Sequence, residues 1–338
     1  MKSRSMRLIQ SAAATSTLAA SVLAFGGGAA TVAGASTSKV TIAFNVGAEA
    51  DPFFQSMYVG AAAEAKKLGV TLVWQGDPED YSPSTQLPVL QELLSLKPNA
   101  IVIAPTDTKA LQPITAQFVK AGIPVVNVDS GNANQSNISA WVTGYNELGG
   151  KQAADGLAAA MNYTTNCTTK GSCVVGVAVS SLTTSTDAAR VQGFNQEVAK
   201  KFPNLTLLPA IVSNSESSVA QTKLAADITA NGSKIKGIFA VDGSDAVGAN
   251  AAIAAASDTG KIAVFGYDAY AANEASLAAG TLAGIIAQQP ALEGTDAVLY
   301  AYDAYKHIKV PHLTLIPNIV LTKNSSQALL SKYVYATS

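Results

Sequence analysis

The sequence predicts an α/β protein of two doubly wound parallel-sheet lobes joined by a hinge. Short apolar runs alternate with segments of helical spacing along nearly the whole chain, and that alternation is what a parallel sheet covered by helices requires. The part of the chain beyond its N-terminal segment, about 300 residues, exceeds one comfortable core and points to two lobes.

Val40, Ile42, Phe44 and Val46 alternate as the buried face of a first strand. Phe54, Met57, Tyr58, Ala61, Ala62, Ala65 and Leu68 then recur at helical spacing until Gly69 stops the helix. Val70 to Trp74 closes a βαβ unit. Leu87, Leu90, Leu94 and Leu96 mark a second helix with Pro88 near its first turn, followed by a strand over Ala100 to Ala104. Thr108 to Lys120 reads as helix and Ile123 to Val128 as strand. A pivot is expected around Ser139 to Asn146, where the chain leaves the first sheet and starts a helix at Glu147. The second series predicts strands over Cys173 to Ser180, Leu205 to Val212, Gly237 to Val241 and Ile262 to Gly266. Its helices cover Ala188 to Lys201, Ser218 to Ala230 and Ala246 to Ala256. A strand over Leu282 to Ala287, a helix over Leu292 to Lys306 and a strand over Leu313 to Val320 are enough to cross to the first lobe and return. The expected lobes are residues 36–143 plus 289–318, and residues 144–288 plus 319–338. No repeat is visible at the level of residues.

Lys2, Arg4 and Arg7 precede an Ala/Leu/Val-rich run, and Ala33-Gly34-Ala35 offers a small-x-small cleavage site, so residues 1–35 read as an export signal. No cysteine follows the apolar run, which argues against a lipid anchor; the mature product is expected to be soluble and periplasmic. The formal net charge is −1, and loss of the signal's cations makes the chain more acidic. Such a chain is a poor candidate for nucleic acid. Charged residues are 13% of the chain, half of the usual ~25%, with Ser, Thr, Asn and Gln covering the surface instead. Cys167 and Cys173 lie in a Thr/Asn/Gly loop and are expected to form a disulfide in an oxidising compartment. A zinc site would need more ligands, and the only histidines, His307 and His312, lie far along the chain.

Open α/β sheets bind small molecules at the carboxyl ends of their strands. The residues just after the predicted strands are Asp51, Asp107, Asp129, Asp242 and Asp268, with Gln288 after the strand ending at Ala287. Any one of these aspartates is also an ordinary helix cap. At the first junction Asp51-Pro52-Phe53-Phe54 combines an acid with two rings. A carboxylate accepts hydroxyl hydrogens and a ring covers a C–H face, which suits a sugar or polyol. The same tetrapeptide also reads as a helix start, with Asp51 as cap, Pro52 at the first helical position and the phenylalanines as core. Arg190 could supply a planar fork for Asp268 or for a ligand's oxygens.

The chain resembles the periplasmic sugar-binding proteins of the type I fold, the ribose-binding group that serves ABC importers. The resemblance rests on DPFF at 51–54, APTD at 104–107, AGIPVVNVD at 121–129 and NELGG at 146–150. It continues through AARVQGF at 188–194, FAVDG at 239–243, FGYDA at 265–269 and IAQQP at 286–290. It implies that Phe53 and Phe54 stack on the sugar, that Asp129 takes a pair of hydroxyls, and that Arg190, Asp242, Asp268 and Gln288 form the second lobe's polar ring. The family commonly has Asn where Asp51 and Asp242 stand. Ribose binders carry Arg where this chain has Ser130, and Asn where it has Ala104, so the sugar is left open. The aromatic usually found near the strand ending at Val212 is absent, with Trp141 or Tyr145 as candidate replacements. The implied partners are a monosaccharide or polyol and an ABC permease, with no cofactor, for a monomer. The alternative role is a sugar sensor that presents its ligand to a receptor. An enzyme is not expected: no Gly-x-Ser-x-Gly or Walker loop occurs, and neither histidine lies near a serine motif.

Overall fold

The computed structural model describes residues 39–336, so the export-signal expectation for residues 1–35 lies outside the described residues. The first lobe builds β1 (Thr41–Ala48), α1 (Pro52–Leu68), β2 (Thr71–Asp77), α2 (Pro83–Ser95), β3 (Ala100–Ile103), α3 (Gln112–Lys120), β4 (Val125–Val128) and β5 (Ala140–Gly144). The second lobe follows with α4 (Asn146–Ala160), α5 (Tyr163–Asn166), β6 (Cys173–Val179), α6 (Ser185–Lys201), β7 (Leu205–Leu207), β8 (Ile211–Val212) and α7 (Ser217–Asn231). It continues through β9 (Ile235–Ala240), α8 (Gly243–Ala255), β10 (Ala263–Tyr267), α9 (Ala271–Ala279) and β11 (Gly284–Ala287). The chain then crosses back for α10 (Pro290–Tyr305) and β12 (Leu313–Ile316), and returns for β13 (Ile319–Thr322) and α11 (Gln327–Tyr333).

The sheets run β12-β5-β4-β3-β1-β2 and β13-β11-β10-β9-β6-β7, with β8 paired to β6. All pairings are parallel except β13 on β11. The central strands of each sheet are buried on both faces, as the parallel arrangement demands, while edge strands such as β2 and β12 are partly exposed. In β1 the buried Ile42, Phe44 and Val46 join the core that holds Met57, Ala297 and Val298, whereas Ala43 joins Leu90, Leu93 and Phe118 on the opposite face. In the second lobe Val175, Val177 and Val179 pack on Leu157, Phe194 and Val198.

The structure departs from the sequence expectations where proline or tertiary contact intervenes. The expected pivot contains β5, a full strand of the first sheet. The run Leu205 to Val212 is split around Pro209, which cannot donate to a ladder. The run Leu313 to Val320 is split at Pro317-Asn318, and its halves belong to different sheets. Helix α2 starts at Pro83 and carries Pro88 inside. The helix expected from Thr108 begins only at Gln112. Helices α9 and α11 were not legible in the pattern. Cys167 and Cys173 are joined by a disulfide that ties the approach of β6 to the segment after α5.

Candidate functional site

The carboxyl ends of the strands of both sheets face one cleft of about 390 Å³ of atom-free space, part of it open to solvent. The cavity itself, about 40 Å³, is well below the ~300–1,000 Å³ usual for small-molecule sites, so the lobes stand close together here. The cleft is lined by Asp51, Phe53, Phe54, Tyr81 and Asp129 from the first lobe, and by Arg190, Asp242, Asp268, Tyr270 and Gln288, among others, from the second. The lobes also touch directly across it. Thr108 N–H donates to the Thr183 carbonyl at 3.1 Å and Gly131 N–H to Ser185 Oγ at 2.8 Å.

On the first lobe, Asp51 and Pro52 do start α1: Asp51 Oδ1 accepts from Phe53 N–H at 2.8 Å. The helix-start reading of the tetrapeptide is met, and Asp51 also receives the Tyr270 hydroxyl from the opposite lobe. Phe53 and Phe54 are buried and edge-on to one another at 5.3 Å, and Phe54 stacks on Tyr81 at 6.3 Å. Tyr81 fits because Gly47 has no Cβ; one there would stand 2.5 Å from its ring. Gly243 does the same for Tyr270 in the second lobe, where its Cβ would run into the ring.

Asp129 follows β4 in the left-handed region at φ 54°, and Asp268 follows β10 there at φ 65°. Short acidic residues tolerate that region better than most. Its N–H donates to Val142 O in the first case and to Ile286 O in the second, so both carboxylates leave their sheets in the same way. Asp129 Oδ2 accepts from Ser130 Oγ at 3.3 Å, while Oδ1 is buried with no protein partner among the described residues. Asp268 is fully engaged: Oδ2 accepts from Gly243 N–H at 3.0 Å, and Oδ1 from Gln288 Nε2 at 2.7 Å and the Tyr335 hydroxyl at 2.9 Å. Asp242 caps α8 and accepts from Ser180 N–H at 2.8 Å.

Arg190 is buried at 3% exposure and does not bond Asp268, as the sequence had suggested it could. Its Nε donates to Asn146 Oδ1 at 2.8 Å and its Nη1 to Val241 O at 3.1 Å. Its ion partner is Asp187 at 3.5 Å, one turn earlier on α6, and its guanidinium lies 4.3 Å from the Tyr267 ring centroid. The i,i+3 spacing makes Asp187 the local partner and leaves Asp268 to other donors. Asp107 is a second correction. It lies outside the cleft lining, and its Oδ1 accepts from Lys109 N–H at 2.8 Å and Ala110 N–H at 2.7 Å, capping the turn before α3. Trp141 and Tyr145 do not line the cleft either; Trp141 Nε1 instead donates to the Asp129 carbonyl at 3.1 Å. Tyr81 and Tyr270 supply the additional rings. Both follow acidic turns, at Asp80 and Asp268, but nothing in the spacing aims them at the site.

The electrostatics are dominated by burial. It pushes the carboxyls of Asp51 and Asp187 up to about 7, and that of Asp129 up to about 6; Arg190 counteracts the rise for Asp187 and Asp129. Burial also raises Asp268, against the donors that hold its charge. For Arg190 burial opposes the charge, but Tyr267, Asp187, Asp268 and Asp129 overcome it and keep the guanidinium protonated well above its ordinary range. A cleft with one buried cation among several carboxylates gains from any ligand that brings hydrogen-bond donors. No cluster of side chains fit to hold a metal ion occurs among the described residues.

The model of the periplasmic binding protein domain matches residues 42–309. The chain belongs to the periplasmic binding protein family. Ribose import binding protein RbsB of Escherichia coli (strain K12) is 31% identical over 286 residues, which cover 83% of this chain and 90% of that protein. Among solved structures, an ABC transporter solute-binding protein from Agrobacterium vitis bound with α-D-tagatopyranose matches this binding protein with a TM-score of 0.82 at 30% identity, covering 88% of this chain and all of that one. A carbohydrate transporter solute-binding protein from Agrobacterium radiobacter in complex with D-arabinose gives 0.82 at 29% identity, covering 88% and 100%. The domain match ends before β12, so the segment that carries Tyr335 lies beyond it.

Proposed function

We propose that the protein captures a monosaccharide or related polyol between its lobes, delivers it unchanged to an ABC permease by hinge closure, and works in the periplasm as a monomer. The observation that carries this reading is one small cleft in which aromatic faces from Phe53, Phe54, Tyr81 and Tyr270 oppose Asp129, Arg190, Asp242, Asp268 and Gln288. Rings cover the C–H face of a sugar, and carboxylates take its hydroxyl hydrogens in charge-assisted bonds. A cleft this narrow leaves no room for an oligosaccharide. The relatives' import role favours delivery over sensing.

The moving bodies are the two sheet lobes, residues 39–143 plus 289–318 and residues 144–288 plus 319–336 among the described residues. The hinge is the three crossings, after β5, after β11 and between β12 and β13. A sugar held by both lobes favours the closed state by its differential affinity, and the Thr108–Thr183 and Gly131–Ser185 bonds across the cleft add to that state. A thermal-shift screen of monosaccharides and polyols tests the reading. At ~100 times its dissociation constant the right sugar adds roughly 2.7 kcal/mol of stability. A shift seen only with amino acids, peptides or nucleotides overturns it.

A further inference from the structure

We infer that Tyr335, from the C-terminal segment beyond the family's domain match, is a positioning residue of the ligand site that holds the Asp268 carboxylate and the Gln288 crossing in register. This inference rests on the sugar-capture reading for the purpose of the site. Tyr335 is 5% exposed although it lies at the end of the described chain. Its backbone N–H donates to the Ala269 carbonyl at 2.9 Å, next to Asp268. Its hydroxyl sits between two groups of the site. It accepts from Gln288 N–H at 3.0 Å and lies 2.9 Å from Asp268 Oδ1.

The proton arrangement follows from those partners. The amide of Gln288 can only donate, so the phenolic oxygen must accept there, and its own hydrogen is then free for the carboxylate. Because Gln288 Nε2 binds the same Oδ1 at 2.7 Å, the phenol and the amide side chain converge on one oxygen and fix the rotation of the carboxyl group. Gly243 N–H fixes the other oxygen. Asp268 stands in the left-handed region just past β10, and its three donors come from Gly243, Gln288 and Tyr335, all distant in sequence.

Tyr335 also reaches the other half of the molecule. Its ring stands edge-on to Phe53 and to Tyr270, with centroids 6.0 Å away in each case. The residue therefore touches a ring of the first lobe, a ring of the second, the ligand carboxylate and the crossing that leads into α10. Helix α11 delivers it: Ser326 caps the helix and Leu330 buries it against the core that contains Phe53 and Leu321. The C-terminal segment thereby belongs to the binding site in addition to completing the second lobe.

Tyr335→Phe tests this, since it keeps the ring and removes only the hydroxyl. The full chain carrying ¹³C-carboxyl aspartate, with Asp268 assigned through Asp268→Asn, is titrated by NMR, and both proteins are titrated calorimetrically with D-ribose, D-allose, D-arabinose and D-tagatose. In the variant, Asp268 titrates at higher pH than in the wild type, and affinity for the sugar the wild type binds falls about 10- to 100-fold, the range for losing a hydrogen bond to a charged group. The melting temperature also falls, because the buried Gln288 N–H loses its acceptor although the ring packing survives. An Asp268 titration and an affinity equal to wild type would show that Tyr335 only packs the tail, and overturn the inference. If the wild type binds none of these sugars, the sugar reading fails for this panel, while the Asp268 titration still decides whether Tyr335 holds the carboxylate.

Discussion

The two lobes share one strand order and hand the cleft opposite chemistry. Position for position, β12-β5-β4-β3-β1-β2 corresponds to β13-β11-β10-β9-β6-β7, and Asp129 and Asp268 leave equivalent strands with the same left-handed turn. Yet the first lobe contributes Phe53, Phe54 and Tyr81 with Asp51 and with Asp129, one oxygen of which is unclaimed among the described residues, whereas the second contributes one ring, Tyr270, and the groups Arg190, Asp187, Asp242, Asp268 and the Gln288 amide nitrogen already bonded to one another and to the backbone. The topology decides where side chains emerge. What they do depends on whether the lobe itself supplies their partners: the second lobe presents a preset polar wall, and the first presents a ring face with an acceptor waiting for a donor.

The sharpest break of this comparison is Arg190→Ala. It leaves Asp187 buried without its ion partner, for which the expected loss is ~3–5 kcal/mol of stability together with loss of sugar binding. Urea unfolding and calorimetry measure both; wild-type stability would mean that the second lobe's wall is not held by this cation.

The paired substitutions Asp129→Asn and Asp268→Asn sharpen it next. Each should weaken sugar binding by about 1.5–3 kcal/mol. Only Asp268→Asn should also destabilise the ligand-free protein, because Gly243, Gln288 and Tyr335 all donate to that carboxylate. Asp129→Asn should leave stability equal or higher at pH 8, since it removes a buried charge with an unclaimed oxygen. Identical stability changes in the two variants would end the distinction between preset and waiting acceptors.

Reduction of the Cys167–Cys173 bridge probes the second lobe away from its cleft edge. A loop this short contributes about 2 kcal/mol in the loop-entropy picture. Reduced protein should melt earlier yet bind sugar with unchanged affinity. A change in affinity would mean that the far end of β6 communicates with Ser180 at its cleft end.

Phe54→Leu, on the first lobe, should cost about 1 kcal/mol of sugar affinity, because the ring face is lost while the apolar cover is largely kept. A loss as large as that of Asp268→Asn would place the binding energy on the rings.

A last effect, of opposite sign for stability and for affinity, is in pH. Asp51 and Asp187 titrate near 7 and Asp129 near 6 in the folded protein, against about 4 unfolded. Between those values the folded state keeps protons that the unfolded chain has lost, so this contribution to stability falls as pH rises from about 4 to 7. The ligand-free protein should therefore melt a few degrees higher at pH 5 than at pH 8. Sugar affinity should run the other way, since the hydroxyls need ionised acceptors. Thermal melts and titrations at both pH values check the crossing; parallel trends would refute it.

The sequence alone determined the α/β class and the order of most elements, because apolar periodicity is a local property that burial on both sheet faces enforces. It also placed Asp51, Phe53, Phe54, Asp129, Arg190, Asp242, Asp268 and Gln288 among the candidates, since strand ends are local too and the structure lines the cleft with all of them. Tertiary structure decided the rest. Asp107 looked like its neighbours at other strand ends, and only the nearby amides of Lys109 and Ala110 make it a cap. Arg190 could have met Asp268, but the helix offered Asp187 first. Tyr81, Tyr270 and Tyr335 carry no periodic signal; the room left by Gly47 and Gly243 brings the first two to the cleft, and the docking of α11 brings Tyr335 behind Asp268 and Gln288. Their partners lie far away in sequence, and a contact of that kind exists only once the lobes have folded against each other.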